Sequence, residues 1–310
     1  MSISPKVLGI DISKHHLDVF DPRSGRVEHL ENQPQAISAW AEQALDGIDL
    51  VVFEATGRYD EALRAELVGR QVRFSRVNPS QARDFARASG FLAKTDAIDC
   101  RMLSLMGQAL ALRPAEPVSP QRERLVRLGR RRDQLVTQRV QEKTRLKEED
   151  DPEARASLQS HLAWLDAEIR RFETCIRQLI ASCRELARTS ALLRSVPGVG
   201  PVTASSLLAL VPELGARSPK TIAALIGLAP LNADSGTRRG QRTIRGGRKR
   251  VRDALYMAAV SCIGRQNRFA CAYRAFVSAG KPPKLALIAV ARKMLITLNA
   301  IARDQQPFRA

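Results

Sequence analysis

Two short apolar runs near the N-terminus each lead to a carboxylate, and this pattern narrows the choice of fold more than any other feature. Residues 6–12 are largely apolar up to Asp11, and residues 50–54 are apolar up to Glu54. Runs of this length predict buried strands of a sheet. If the two strands are neighbours, about 4.8 Å apart, the fold brings their carboxylates face to face.

The segments around these runs complete an α/β order. The sequence predicts strands at 6–12, 17–21, 26–30, 50–54 and 72–77, and helices at 34–46, 61–69 and 96–111. Ser80 is expected to cap a helix that follows Asn78 and Pro79. Three strands followed by alternating helices and strands are the order of the ribonuclease-H-like fold. We therefore predict an α/β RNase H-like domain over residues 1–115.

A long helical region follows a proline-containing linker at 114–120. Its apolar residues step by four and three: Leu158, Leu162, Leu165, Ile169, Phe172, Ile176 and Leu179. This spacing predicts a coiled-coil seam, and the basic arm at 121–147 makes it one half of an antiparallel hairpin over 116–190. The seam either packs within one chain or forms the contact between chains of a homo-oligomer. A dimer, with a tetramer as the larger option, is favoured because a lone hairpin leaves apolar surface exposed.

Residues 191–310 read as an all-α domain. Pro197-Gly198-Val199-Gly200 lies between two expected helices, which is the pattern of a helix-hairpin-helix element. Gly198 and Gly200 would then let backbone N–H groups approach a phosphate, although an ordinary tight turn gives the same pattern. Further helices are expected at 221–229, 251–278 and 284–303. The last is interrupted by Arg292 and Lys293, so we predict an amphipathic helix and no membrane contact.

The charge balance predicts a polyanionic partner. Lys and Arg number 50 against 32 Asp and Glu, for a net charge of +18. Nucleic acid is the first interpretation, and a basic surface without a partner is the alternative. Aromatic residues make up only 5% of the chain, which favours phosphate contacts over base stacking.

The five cysteines favour a reducing compartment. They form no Cys-x-x-Cys pair, and only four histidines are available as co-ligands. Neither a zinc site nor a disulfide framework is expected. With no signal peptide at the N-terminus, the sequence predicts a cytoplasmic protein.

Four carboxylates are candidate ligands for Mg²⁺ or Mn²⁺. They are Asp11, Glu54, Asp96 and Asp99. Asp96 and Asp99 are three apart on a predicted helix and share a face. Such a cluster requires cations to stay ionised, and two hard ions can activate a nucleophile and stabilise a leaving oxygen.

Each of these carboxylates also has a structural interpretation. Asp11 could end a strand, and Glu54 could pair with Arg58. Asp96 could be a charge at a helix N-terminus, which the helix dipole stabilises. Asp99 could pair with Arg101 or Lys94.

A second constellation surrounds Ser235. The serine precedes Gly236 in a stretch rich in glycine and arginine. A serine that attacks phosphorus keeps the phosphodiester energy in a covalent link, so that rejoining DNA requires no ATP. Candidate nucleic-acid contacts are Lys94, Arg238, Arg239, Arg242, Arg245, Arg248, Lys249 and Arg250. The alternative is a basic loop that binds phosphate without chemistry.

The whole chain resembles transposases of the IS110 group of insertion sequences, relatives of the Piv DNA invertases. The resemblance runs from about residue 5 to 303. It rests on these motifs: Gly9-Ile10-Asp11, Glu54-Ala55-Thr56-Gly57-x-Tyr59, Lys94-Thr95-Asp96-x-x-Asp99, Val196-Pro197-Gly198-Val199-Gly200, Gly227-Leu228-x-Pro230, Ser235-Gly236 and Ile244-Arg245-Gly246-Gly247. Cys100 stands where alanine is usual in the family, and Arg245 where lysine is frequent.

The resemblance implies a RuvC-like domain with an Asp-Glu-Asp-Asp tetrad, which here is Asp11, Glu54, Asp96 and Asp99. It implies a C-terminal transposase domain whose catalytic serine is Ser235. The tetrad of one protomer would meet the serine of another. Members of the family are guided by a structured RNA from the element, which pairs with target and donor DNA, so RNA is a further expected partner.

Three functions are therefore compared. The first is a DNA recombinase that uses metal and serine, and it accounts best for both constellations. The second is a RuvC-like structure-specific nuclease with no serine step. The third is a nucleic-acid-binding protein with no catalytic activity.

Overall fold

The computed structural model describes residues 5–55, 57–91, 95–116, 118–230 and 243–309. The chain divides into two compact units, residues 1–117 and 118–310. The segments expected to form a hairpin domain and a C-terminal domain both lie in the second unit. We describe each unit separately.

The first unit is built on a five-stranded mixed sheet. Its strands are β1 (Val7–Ile12), β2 (His16–Asp21), β3 (Arg26–Glu31), β4 (Leu50–Glu54) and β5 (Phe74–Val77), in the order β3-β2-β1-β4-β5. β1 pairs with β4 and β4 with β5 in parallel, whereas β2 runs antiparallel to both β1 and β3. This mixed α/β architecture is compatible with the ribonuclease-H-like fold.

Helices cover both faces of this sheet. The helices are α1 (Pro34–Ala44), α2 (Glu61–Gly69), α3 (Pro79–Ala88) and α4 (Asp96–Ala109). Successive strand residues point to opposite faces. Leu8 and Ile10 therefore join the core beneath α1 and α2, while Val7 and Val52 pack with α3 and α4. The even-numbered residues of β1 face one helical layer, and the odd-numbered residues face the other.

The cap of α3 differs from the expected one. The side chain of Asn78 accepts a hydrogen bond from the backbone N–H of Ser80 at 2.8 Å, so Asn78 is the N-cap and Ser80 is helical. The prediction for Ser80 was wrong because Pro79 suits the first helical position, where no N–H is needed.

Helices make up most of the described residues of the second unit. It contains α5 (Pro120–Glu148), α6 (Pro152–Ser182), α7 (Arg184–Arg194), α8 (Pro201–Leu210), α9 (Pro219–Ile226), α10 (Lys249–Cys262), α11 (Arg268–Ser278) and α12 (Pro283–Asp304). The helical stretch expected over 251–278 is two helices. The break follows from Asn267, whose side chain accepts hydrogen bonds from the N–H groups of Phe269 and Ala270 and so begins a new helix.

The two long helices α5 and α6 pair antiparallel within one chain. Arg132 pairs with Glu173 at 2.7 Å and Arg139 with Asp166 at 2.8 Å, so contact positions rise along one helix as they fall along the other. Leu135 is buried with Leu165 and Ile169 between them. Coiled-coil packing and dimerisation through this pair stay predictions.

Helix α12 lies in the core of the second unit. Among the described residues it is the one helix long and apolar enough to cross a bilayer, and half of that stretch is buried inside the protein. A buried core helix meets the same criterion. Val290, Met294 and Leu298 are fully buried along one side, with Arg292 and Lys293 among the residues between them.

Candidate active site

The carboxylates of Asp11 and Glu54 lie at corresponding ends of adjacent parallel strands. The register pairs Ile10 with Phe53, which places Asp11 and Glu54 one residue further along. Both carboxylates lie on the sheet face that α4 covers, because the strand residues two positions earlier, Gly9 and Val52, contact this layer. The sequence prediction that these two strand ends are neighbours is confirmed.

Helix α4 brings the other two carboxylates to the same face. Thr95 is its N-cap, and the threonine hydroxyl oxygen accepts a hydrogen bond from Ile98 N–H at 3.3 Å. Asp96 and Asp99 both lie in the first turn. The helix packs closely on β1, where the hydroxyl of Ser104 donates a hydrogen bond to the Val7 carbonyl at 2.6 Å.

Electrostatics shows that the four carboxylates share one field. The pKa of Asp11 is raised to about 6, first by burial and then by the charges of Asp99 and Asp96. Glu54 adds a smaller repulsion, and a hydrogen bond from the backbone N–H of Ile12 opposes the rise. A clustered negative field of this kind attracts a cation.

The donor set fits a hard divalent cation, whose preferred ligands are carboxylate oxygens. Across the described ranges, however, no three His, Cys, Asp or Glu side chains are placed closely enough to hold one ion as they stand. Carboxylates without a counter-charge repel one another, so ligation would require these side chains to move inwards.

A carboxylate–imidazole pair that sequence reasoning missed lies on the same sheet face. In the strand register, Asp18 on β2 lies opposite Asp11 on β1, and His29 on β3 lies opposite Asp18. Asp18 Oδ1 lies 2.9 Å from His29 Nδ1. The short interval between the predicted strands 17–21 and 26–30 was the available signal, because a hairpin that joins these strands fixes residue 18 opposite residue 29.

Several predicted site residues fall outside the described ranges. These are Ser235, Lys94, Arg238, Arg239 and Arg242.

The described flanks of the Ser235 segment meet each other. A β-carbon on Gly247 would lie 2.5 Å from the carbonyl carbon of Ile226, and it would also overlap the backbone of Gly227. Arg252 links the two segments that meet here, because its guanidinium donates hydrogen bonds to the carbonyls of Ile226 at 3.3 Å and Gly246 at 2.6 Å.

The basic residues after this segment have different environments. Arg245 is exposed. Arg248 is half-buried and donates hydrogen bonds to both carboxylate oxygens of Glu213 at 2.6 Å. Arg250 lies 2.5 Å from Asp133, and Lys249 forms an exposed pair with Asp253 at 2.6 Å. Arg245 and Lys249 are thus the exposed cations among these four, and contact with nucleic acid stays a prediction for all of them.

The turn between α7 and α8 places its two predicted glycines differently. Gly198 packs against α10, where a β-carbon would collide with the Ala258 carbonyl and approach Cys262 Cβ to 2.9 Å. Gly200 is the N-cap of α8 and faces open space. The packing against α10 explains why residue 198 has no side chain, and phosphate contact by Gly198 or Gly200 stays a prediction.

The order of the sheet and its converging carboxylates are compatible with the ribonuclease-H-like class of DNA transposases. Two family profiles match the chain. One, described as a transposase of the DEDD IS110 type, matches residues 8–148, and the other, the transposase IS116/IS110/IS902 family, matches residues 190–274. The first match includes all four acidic residues.

Similar proteins support the same assignment. The pilin gene-inverting protein of Moraxella lacunata is 30% identical over 269 residues, which cover 83% of this chain and 81% of that protein. An uncharacterized 43.6 kDa protein of insertion element IS110 in Streptomyces coelicolor is 32% identical over 151 residues, 48% of this chain and 36% of its own length. The chain belongs to the IS110/IS116/IS902 transposase family, and it is a DNA transposase or recombinase enzyme.

Proposed function

We propose that this transposase cleaves and rejoins DNA with Mg²⁺ held by Asp11, Glu54, Asp96 and Asp99. The observation that carries the proposal is the convergence of these carboxylates on one face of the sheet, with the pKa of Asp11 raised to about 6 by burial and by its neighbours. Family membership favours a divalent ion, and the all-oxygen donor set favours Mg²⁺ over softer metals.

The protein residues would have separate tasks in this reaction. Asp11 and Glu54 hold one side of the site on rigid strand ends, and Asp96 and Asp99 close it from the first turn of α4. A divalent ion bound there would supply positive charge that offsets the negative charge of the scissile phosphate. Sites built on strands and helices hold geometry better than sites on loops, which suits a reaction that requires in-line attack.

We further propose Ser235 as the nucleophile that forms a covalent link to DNA. The family motif at Ser235-Gly236 supports this role, and so does the contact between Gly227 and Gly247 on either side of it. That contact holds the described residues on either side of the serine-bearing segment next to each other. Attack by the hydroxyl oxygen forms an O–P bond while the P–O bond to the leaving strand breaks, so one phosphodiester replaces another.

The assembly proposed around this chemistry contains more than one chain and a guide RNA. In a homodimer or tetramer, the carboxylates of one protomer would meet Ser235 of another, and an RNA from the element would select target and donor DNA. The resemblance to the IS110 group is the support for both parts. The net charge of +18 suits two nucleic acids bound at once in the cytoplasm.

Excision from native DNA tests the two catalytic centres together. The gene with its flanking DNA is placed in bacteria, and the joined ends of the excised circle are amplified. Circles are expected with wild type and in neither Asp11→Ala nor Ser235→Ala. Circles that persist in Ser235→Ala would contradict the covalent serine step while leaving a metal-only reaction.

The alternative is a RuvC-like nuclease that hydrolyses DNA without the serine. The acidic site favours it as much as the recombinase, and Ser235 separates the two. Purified Ser235→Ala would cleave DNA normally if the protein were such a nuclease, and Asp11→Ala would not. Loss of cleavage in both variants supports the recombinase.

A further inference from the structure

The second unit contains a cavity of about 590 Å³ whose described lining carries three arginines. They are Arg122 on α5 and Arg184 and Arg188 on α7, and Glu185 is the single carboxylate among the described lining residues. Arg184 and Arg188 are four apart on one helix, so their side chains lie on the same face. None of the three arginines is a site residue predicted from the sequence.

These arginines lack the ion pairs that other arginines of the unit form. Partly buried arginines elsewhere in it each pair with a carboxylate within 2.8 Å, as Arg132, Arg139 and Arg248 do. Among the described residues, no carboxylate oxygen comes within 4.0 Å of the guanidinium nitrogens that line the cavity. Arg122 donates a hydrogen bond to the Leu208 carbonyl at 2.6 Å, and burial lowers its pKa although the charges of Glu185 and Glu213 oppose the shift. A partly buried cation without a paired charge is unfavourable, so the cavity favours an anion.

The remaining lining of the cavity includes an apolar wall that is held in place. The wall is formed by Leu207, Leu208, Val211, Pro212 and Leu214. The segment that carries its last three residues is tied to α12 by the buried side chain of Asn299. The amide oxygen of Asn299 accepts a hydrogen bond from Gly215 N–H, and its amide nitrogen donates to the Arg217 carbonyl, both at 2.9 Å. A pre-formed cavity with apolar walls and a few polar groups is typical of a ligand site, and here it suits a ligand with both an anionic and an apolar part.

We propose that this cavity binds one unpaired nucleotide of a nucleic-acid strand, with its two flanking phosphates on Arg184 and Arg188 and its base against the apolar wall. A transposase acts on polyanionic strands, and a nucleotide combines the charge and the apolar surface that the cavity requires. Bases in a duplex are stacked and present only their edges, so the bound nucleotide must lie outside the helical stack.

The side chains present decide how the base is held. No aromatic side chain is among the described lining residues, so the base packs on aliphatic side chains and on the guanidinium plane of Arg122. RNA and DNA both carry this chemistry, and the strand is identified by experiment. The site depends on neither the metal nor the serine of the proposed reaction.

The test measures strand binding to the full-length protein by fluorescence anisotropy at several salt concentrations. Labelled single strands of about ten nucleotides, one of RNA and one of DNA with the same mixed sequence, are compared with the DNA duplex of that sequence. The variants are Arg184→Ala, Arg188→Ala and Thr189→Trp, the last at a cavity-lining residue between them. Arg170→Ala is the matched control, because Arg170 is an exposed arginine of α6 that does not line the cavity. Uridine monophosphate and inorganic phosphate are the unlabelled competitors, and thermal melting confirms that each variant is folded.

We expect Arg184→Ala and Arg188→Ala each to weaken single-strand binding about tenfold, because each loses a charged hydrogen bond to phosphate. The slope of log affinity against log salt should decrease in magnitude by about 0.7 in each. Thr189→Trp should weaken binding with an unchanged slope, since it fills the cavity without removing a charge. Arg170→Ala should stay within about twofold of wild type, because a distant exposed charge is screened. The monophosphate should compete at lower concentration than inorganic phosphate, because only the nucleotide buries apolar surface.

Single-strand binding by both arginine variants that matches Arg170→Ala would overturn the nucleotide site. An equal loss for duplex and single strands would also overturn it, because the arginines would then form a general phosphate-binding surface. Inorganic phosphate that competes as well as the monophosphate would leave an anion site with no place for a base. A loss seen with one of the two single strands supports the site and identifies that strand as its source. Asp11→Ala and Ser235→Ala should bind both strands as wild type does, so failure of the proposed reaction is distinguishable from failure of this site.

Discussion

The α-carbon of Gly9 lies so close to the carbonyl oxygen of Cys100 that no β-carbon fits between them. A β-carbon there would also come within 2.5 Å of the Ser104 nitrogen. The contact lets α4 lie directly on β1, two residues before Asp11. The position of Asp96 and Asp99 relative to Asp11 therefore depends on residue 9 being a glycine, which has no side chain.

Gly9→Ala is expected to push α4 away from β1. The clash is with helix backbone, which cannot rotate aside, so we expect a loss of about 3 kcal/mol or more in the free energy of unfolding, together with loss of excision. Chemical denaturation measures the first and circle formation the second. Gly69→Ala in α2 is the matched control, because no atom within 4 Å meets the added carbon there. Equal stability of the two variants would contradict the packing argument.

Asp11→Asn should stabilise the metal-free protein at neutral pH. The pKa of Asp11 is raised from 3.8 to about 6 by burial and by the charges of Asp99, Asp96 and Glu54. A carboxyl whose folded-state pKa is raised costs stability progressively as pH rises from about 4 to 6. The cost then stays constant above that range. We expect a gain of about 1–2 kcal/mol at pH 7.5, after allowance for solvent screening.

Denaturation in EDTA, at a series of pH values, checks this prediction. The gain should vanish well below pH 3.8, where the Asp11 carboxyl is neutral in both the folded and the unfolded state. Added Mg²⁺ should stabilise wild type more than Asp11→Asn, since ligand binding raises the stability of the state that binds it. A variant less stable than wild type at pH 7.5 in EDTA would contradict the repulsion described for the acidic cluster.

The placement of Asp11 and Glu54 was predictable because two buried strands ending in carboxylates have few ways to pair. The pair of Asp18 and His29 was not recognised, although the turn after Asp21 fixes their register. A search for nearby partners in sequence misses them, because the two residues are 11 positions apart and are brought together by a hairpin. The contacts within this hairpin depend on cross-strand neighbours rather than on a contiguous motif.

The basic stretch after Ser235 shows a different limit of sequence reasoning. Composition alone treats Arg245, Arg248 and Arg250 as equivalent phosphate contacts. The fold separates them, because Glu213 lies 35 positions from Arg248 and Asp133 even further from Arg250 along the chain. Tertiary packing decides which arginine contacts a carboxylate that is distant in sequence. A count of charges in the sequence does not contain this information.

Arg248→Ala is expected to destabilise the protein without removing a DNA contact. Burial would raise the pKa of Glu213, but hydrogen bonds and charge from Arg248 outweigh it, and the pKa is lowered. Stability from this pair is therefore present above pH 4.5 and is lost as pH falls through the lowered pKa. We expect a loss of about 2 kcal/mol at pH 7, measured by denaturation, because Glu213 is left half-buried and unpaired.

Arg245→Ala is the variant to compare with Arg248→Ala. Its side chain is exposed, so stability should change by less than about 0.5 kcal/mol. DNA affinity should fall, and the slope of log affinity against log salt should decrease in magnitude by about one, as expected for one lost phosphate contact. If Arg248→Ala rather than Arg245→Ala altered the salt slope, the division of roles between these arginines would be wrong.

Gly247→Ala should abolish recombination more strongly than Gly246→Ala. Both glycines have a positive φ, 67° and 68°, so a side chain imposes similar backbone strain at each, about 1 kcal/mol. They differ in contact, because a β-carbon on Gly247 would strike the backbone of Ile226 and Gly227, whereas one on Gly246 would meet open space. Comparing the two variants thus isolates the contact between the flanks of the Ser235 segment.

Circle formation and protein–DNA adducts are the measurements for this pair. We expect Gly246→Ala to retain most of the wild-type yield and Gly247→Ala to lose circles and adducts while still binding DNA, because the Ser235 segment would lose the anchor that joins its flanks. Equal yields from the two variants would mean that the contact does not position the serine. Loss of DNA binding in Gly247→Ala would point instead to a failure of the whole C-terminal fold.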